Sequence, residues 1–306
     1  MGSLMYCFGH LFIKMVFWYN NPMRTIIVPK SRNALLIAQL ASLYKTLKGV
    51  KNNESVNFDL CELEWACPLL ILPLSAYIDS TNSQATTNEC EINGYLFNID
   101  FPNGIDSVSE FQKIIQSKKS YIPISILRRK AAEEREKLET MFATMVFNTL
   151  EKTPTGTRNA IYQPISELVT NIFEHSKKDT GYIFGQIYQK KNYLDICIVD
   201  CGRGLQKTYQ EEKNLKISDQ ESIIEVMKGN SVKPDKERGY GVRSSRNIVC
   251  DGLSGQFAIV SGSAALISIK NYNKIVSLDD FYWQGVIIAY RIPKPIKPID
   301  ITPFLE

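Results

Sequence analysis

Glu167, Asn171 and His175 recur at four-residue intervals in the run Ser166-Glu167-Leu168-Val169-Thr170-Asn171-Ile172-Phe173-Glu174-His175. On a helix that spacing puts all three on one face. Ile165, Leu168, Val169, Ile172 and Phe173 then form the apolar face that buries the helix. A carboxylate and a carboxamide one turn apart suit a hard divalent cation and a water. An amide oxygen ligates Mg²⁺, which keeps several waters and takes phosphate oxygens for the rest. The carboxylate can orient or deprotonate a water. A solvated face of an amphipathic helix has the same composition, so this run alone does not decide a function.

Two further segments carry chemistry. Asp200-Cys201-Gly202-Arg203-Gly204 follows the apolar strand Ile196-Cys197-Ile198-Val199. A carboxylate at a strand end can accept a hydrogen bond from a base amino group. Gly202 and Gly204 permit positive φ and close approach of backbone to a ligand. Glu237-Arg238-Gly239-Tyr240-Gly241 opens a predicted helix. Glycines there leave N–H groups and the positive dipole end facing an anion, and Lys236 and Arg238 add charge.

In order and spacing these segments resemble the ATP-binding domain shared by DNA gyrase, heat-shock chaperones, histidine kinases and MutL, the GHKL or Bergerat fold. Residues 167–171 (E-L-V-T-N) match its N box, and 200–204 (D-C-G-R-G) match its first glycine box. Residues 238–241 (R-G-Y-G) match a shortened second glycine box, and 228–233 sit where such proteins place the ATP lid. Residues 255–262 resemble the family strand after the second-box helix, and Gly285-Val286 stand where many members have Gly-Thr. The resemblance covers residues 130–293. It implies ATP and Mg²⁺ as ligands, Asn171 as the metal ligand and Asp200 as the acceptor for the adenine amino group. It implies Gly202 and Gly204 as shapers of the adenine pocket. Lys236, Arg238, Gly239, Tyr240 and Gly241 fall in the phosphate-binding segment, and Glu167 at the position of the general base. His175 is either a polar wall of the pocket or a direct phosphate contact. Val286 departs from the usual Thr and removes one hydrogen bond near the base.

The elements that must position these residues read as α/β with α+β layers. In the first half, strands at 25–28 and 55–60 alternate with helices at 33–47 and 65–78. Pro68 falls in the first turn of the second helix, and Pro73 is a kink site. A third strand is expected at 91–99 and a short helix at 106–116. This β-α-β-α-β order resembles STAS domains, the fold of anti-sigma-factor antagonists, over residues 23–117. The phosphorylatable serine that those antagonists carry has no counterpart in Ala66-Cys67-Pro68-Leu69. Residues 118–130 read as a linker, 131–295 as a Bergerat-fold α/β sandwich and 296–306 as a tail. Within the second half a helix is expected at 131–150, whose apolar stripe serves a core or a homodimer. Another helix ends near 178, and strands follow at 181–188 and 193–199. A polar, mobile stretch is expected between Gln206 and Arg238, then a helix at 242–251 and three closing strands at 256–261, 265–269 and 286–292.

Composition narrows the function further. The 306 residues carry 36 Lys+Arg against 32 Asp+Glu, a net +4 that gives no concentrated basic face for nucleic acid. Seven cysteines, with no C-x-x-C, argue against a zinc ribbon or disulfide framework and for a reducing cytoplasm. Residues 1–22 read as an extension upstream of the natural start or a poorly ordered leader, the alternative being a membrane-surface anchor. The run 66–78 is too short and too proline-bearing for a membrane span. Of the two histidines, His10 lies in that extension and His175 on the N-box helix. None stands on the helix 131–150, so a self-contained histidine kinase is not expected. The expected function is Mg·ATP binding with ATP hydrolysis or serine/threonine-type phosphorylation in a cytoplasmic regulatory switch, acting on a regulatory protein or phosphoacceptor. The alternative is a non-catalytic, ATP-dependent interaction module.

Overall fold

The structure is a computed structural model that describes residues 23–31, 35–88, 90–115, 121–150, 152–230 and 241–305. The extension 1–22, residues 231–233 of the expected lid and residues 238–240 of the expected second glycine box lie outside the described residues.

Three short strands form a parallel sheet in the order β1 (Arg24–Ile27), β2 (Val56–Asp59), β3 (Gln84–Thr86). They are linked by α1 (Leu36–Leu47) and α2 (Pro68–Thr81). Pro68 occupies the first turn of α2, where its missing N–H costs nothing, and Pro73 is accommodated inside the helix. The strand expected at 91–99 is instead a helix, α3 (Asn93–Asn98). Leu96 and Ile99 are buried while Phe97 between them is 83% exposed, a helical rather than an alternating pattern. The third strand is β3, seven residues earlier. A short α4 (Val108–Ile115) follows.

The second sheet has seven strands, all paired antiparallel, in the order β4-β5-β6-β10-β7-β8-β9. They are β4 (Tyr121–Arg128), β5 (Thr180–Tyr188), β6 (Tyr193–Asp200), β7 (Gln256–Gly262), β8 (Ala264–Ile269), β9 (Tyr272–Ser277) and β10 (Trp283–Pro293). Two of these correct the sequence reading. The stretch taken as a linker, 118–130, contributes β4. Its Pro123 is tolerated because β4 is an edge strand whose register shifts between Ile122 and Ser125. The chain closes with four strands, not three, because β9 follows β8 through a tight turn.

Between the strands lie α5 (Ala132–Thr149), α6 (Thr157–His175), α7 (Gly204–Lys213), α8 (Asp219–Met227) and α9 (Val242–Asn247). A π-helical turn, Ile248–Gly252, extends α9. Most of the described part of the stretch expected to be mobile, 206–230, is therefore helical. Thr208, Tyr209, Ser222 and Ile223 on α7 and α8 are buried against the sheet.

Both faces of the large sheet are covered, which explains why its central strands read as nearly continuous apolar runs. On β6, Leu194, Ile196 and Ile198 face the core shared with α5 and α6, while Cys197 and Val199 face the core shared with α1 and α2. The same alternation separates Ile288, Tyr290 and Ile292 from Ile287 and Ala289 on β10. The apolar stripe of α5, with Leu138, Phe142, Met145 and Val146, is buried within the chain against β4 and α6.

The seam between the small module and the large sheet is also polar. Gln39 Nε2 on α1 donates to Asp195 Oδ2 on β6 at 2.9 Å. Arg291 Nε and Nη2 on β10 donate to the same carboxylate at 2.6 and 2.7 Å. The Arg291 guanidinium lies 3.8 Å from the Tyr193 ring centroid. Trp65 stacks on Tyr188 at 5.9 Å, and the Tyr182 hydroxyl donates to Asp79 on α2.

Candidate functional site

The end of α6, the β6–α7 turn, β10 and the start of α9 enclose a cleft of about 1020 Å³, counted out to its open mouth. Asn171, His175, Asp200, Gly204 and Gly241 all line it. Three segments separated in sequence by as many as 70 positions thus converge on one space.

Asp200 ends β6 at the inner side of the cleft and is 4% exposed. Burial pushes its carboxyl up to about 7, against the pull of the Gly202 and Val286 N–H groups and of Lys178. The Gly202 N–H donates to Asp200 Oδ1 at 2.8 Å, which fixes the carboxylate. The neighbouring main chain permits this only because side chains are missing. A Cβ on Gly202 would overlap the Ser176 carbonyl, and one on Gly285 would overlap the Asp200 carbonyl. Gly285 also has φ +119°, a conformation that favours glycine. Gly202 shapes the turn from behind and does not line the cleft.

Asn171 faces the opposite wall. Its Nδ2 is buried and has no hydrogen-bond partner among the described residues. A Cβ on Gly241 would lie 3.9 Å from it. An orphaned amide in a cleft calls for a ligand, and the oxygen and nitrogen of an amide exchange places by a flip. The residue therefore fits a hard cation or a ligand oxygen. His175 sits one turn further along, with Nε2 3.9 Å from Glu174 Oε2.

Glu167 is not brought to the cleft. It is half-buried on α6, and its Oε1 accepts from Gln163 Nε2 at 3.0 Å. Lys236, Arg238, Gly239 and Tyr240 lie outside the described residues.

Arg203 was not singled out from sequence, yet it locks the site. Its Nε donates to the His175 carbonyl at 2.7 Å, and its backbone N–H donates to the Ser176 carbonyl at 3.1 Å. Its guanidinium also engages Glu211 and Glu212 on α7. The side chain is only 5% exposed. The last turn of α6 and the Asp200 turn are in this way held in one frame. The pairing of Arg203 with carboxylates eight and nine residues on was the available signal. Arg243 is the second omission. It lines the mouth of the cleft, and its Nη1 donates to the Lys228 carbonyl at 3.0 Å. Tyr209 secures the same rim by donating its hydroxyl to the Asn230 carbonyl at 2.7 Å.

The cleft thus places a hydrogen-bond acceptor at depth, an amide opposite it and a cation at the rim, between apolar walls that include Leu168, Ile172, Ile198 and Ile288. Apolar walls with few fixed polar groups suit a flat heterocycle carrying an anionic tail. No family model matches this chain, and no curated protein matches it. Among the described residues no helix is long and apolar enough to cross a membrane.

Proposed function

We propose that the chain binds Mg·ATP in this cleft as a GHKL-type domain and uses it in a regulatory switch. The observation that carries the reading is the convergence of Asp200, Asn171 and Gly241 on one cleft from three separate motifs. Asp200 accepts the adenine amino group, and the apolar walls hold the ring. Asn171 holds the magnesium ion, which when bound neutralises phosphate charge. Gly241 leaves room for phosphate beside it, since among the described residues a Cβ there meets only Asn171 Nδ2 within 4 Å. The β-α-β-α-β order of the first half supports a STAS-like module docked on the back of the same sheet. The switch acts through a protein partner or phosphoacceptor in the cytoplasm.

Calorimetric titration of the full chain with ATP and MgCl₂ tests the reading. Saturable binding that Asn171→Ala abolishes is expected, and unchanged affinity in that variant overturns the site.

The placement of Glu167 favours a second reading, a non-catalytic module in which ATP is a structural ligand. Glu167 accepts from Gln163 and does not border the space that the phosphates would fill. Incubation with γ-labelled ATP, with and without protein partners, separates the two. Free phosphate or labelled protein that disappears in Glu167→Ala supports catalysis, whereas bound ATP with neither product supports the module.

A further inference from the structure

A second cleft opens on the far side of α6, between α5 and α6, and has no part in the nucleotide reading. It encloses about 1030 Å³ out to its mouth and is lined by Arg129, Arg135, Glu139, Ser166 and Phe173 among others. Two charged residues one turn apart on α5 are turned into it. Glu139 is 8% exposed and the Arg135 side chain 18%. Such burial of charge is costly unless the charges are paired.

The pairing within the chain is incomplete. Arg135 lies over the Phe173 ring, with its guanidinium 4.5 Å from the centroid. Among the described residues its guanidinium has no hydrogen-bond acceptor, and the carboxylate within reach, Glu136, is 3.7 Å away and 72% exposed. Arg129 approaches the same ring at 5.6 Å. It is already committed, donating to the carbonyls of Phe173 and Lys178 and pairing with Asp179. Arg135 is therefore the unused fork. Burial raises the Glu139 carboxyl above the usual range, against the pull of its hydrogen bond with the Ser166 hydroxyl and of the Arg135 charge. A carboxylate has lone pairs for further donors.

We propose that this cleft is a binding site for a small zwitterion of the α-amino-acid class, whose carboxylate is held by Arg135 and whose ammonium is held by Glu139. The planar guanidinium matches a carboxylate in bidentate fashion. Ser166 orients the Glu139 carboxyl, and the Phe173 ring supplies an apolar floor for the side chain. Arg135 and Glu139 already attract each other, so an anion on Arg135 alone weakens the compensation of Glu139, an amine on Glu139 alone weakens that of Arg135, and a zwitterion supplies both charges at once. The site is independent of nucleotide binding on the other face of α6.

The test is calorimetric titration of the full chain with each of the twenty α-amino acids up to about 10 mM, the weak end of specific affinity. Acetate and methylamine serve as single-charge probes. Saturable binding of one or more amino acids is expected, weakened at least about tenfold in both Arg135→Gln and Glu139→Gln. The near-isosteric Glu139→Gln keeps an acceptor for Ser166, and an unchanged far-UV circular dichroism spectrum certifies the fold of each variant. Binding of none of the twenty overturns the proposal. Acetate or methylamine binding as tightly as the best amino acid, or equal binding by well-folded variants, also overturns it.

Discussion

Gly285 on β10 runs so close to Asp200 that a Cβ at Gly285 would overlap the Asp200 carbonyl oxygen and lie 2.7 Å from the Gly202 nitrogen. The acid at the base of the cleft is placed by the absence of a side chain on the neighbouring strand. Gly285→Ala meets both this overlap and an unfavourable φ of +119°. It is expected to lower stability by about 2–4 kcal/mol in urea denaturation. Gly241→Ala is the control, because among the described residues its Cβ would meet only Asn171 Nδ2, at an ordinary 3.9 Å, and its stability is expected to stay within about 1 kcal/mol of wild type.

The elements that sequence made legible are those with one dominant signal. β5, β6 and β10 are buried on both faces, and α6 carries its apolar residues on a clear 3.6-residue stripe. The misread elements each mix signals. β4 carries Pro123 and a register shift at an edge. α3 is six residues long and contains Asn93-Gly94, a pair that mimics a hairpin turn. β9 is a mostly exposed edge strand with little apolar alternation. At the site, Asp200, Asn171, Gly204 and Gly241 stood out through the joint order and spacing of their three segments, and the structure lines one cleft with all four. Arg203 and Arg243 look like ordinary surface charge in a sequence. Only the fold shows that one is buried between α6 and α7 and the other lines a cleft.

The Gln39–Asp195–Arg291 cluster gives a second prediction. Asp195 is 1% exposed, and burial raises its carboxyl while Arg291 and Gln39 pull it down. Arg291→Met leaves this carboxyl buried without its cation and is expected to cost about 3–5 kcal/mol. Gln39→Leu removes one donor and is expected to cost about 1–2 kcal/mol. Equilibrium urea denaturation measures both, and the reverse order of effects would contradict the assignment of Arg291 as the principal partner.

Cooperativity follows from the same seam. The core shared by α1, α2 and the large sheet joins Leu40, Leu43 and Leu70 to Val199, Val260 and Ala289. Two halves that share a core unfold together. Far-UV circular dichroism and tryptophan fluorescence are expected to report one coincident transition. Trp65 and Trp283 both sit at the seam, with Trp283 6.4 Å from the Tyr77 ring on α2. Two separated transitions would show that the small module folds by itself.

Asp200 couples stability, ligand and pH in opposite directions. Its folded carboxyl titrates near about 7, above the ordinary value of 3.8. Between these values the folded chain holds a proton that the unfolded chain has released. The stabilising contribution is complete below the unfolded value and is lost as pH rises through about 7. Asp200→Asn has no charge to desolvate and keeps an oxygen for the Gly202 N–H. It is expected to be more stable than wild type by about 1–4 kcal/mol near pH 8, with the gap closing towards pH 4. The proposed nucleotide binding has the contrary dependence, because an amino donor bonds more strongly to the ionised carboxylate than to the protonated carboxyl. The wild-type affinity for ATP is expected to rise about tenfold from pH 6 to pH 8. Thermal melts of both proteins across this range, paired with calorimetry of the wild type, measure the two slopes. A wild-type affinity that is flat in pH would remove Asp200 as the acceptor for the base, and a variant with no gain in stability near pH 8 would show that its carboxylate is not strained by burial.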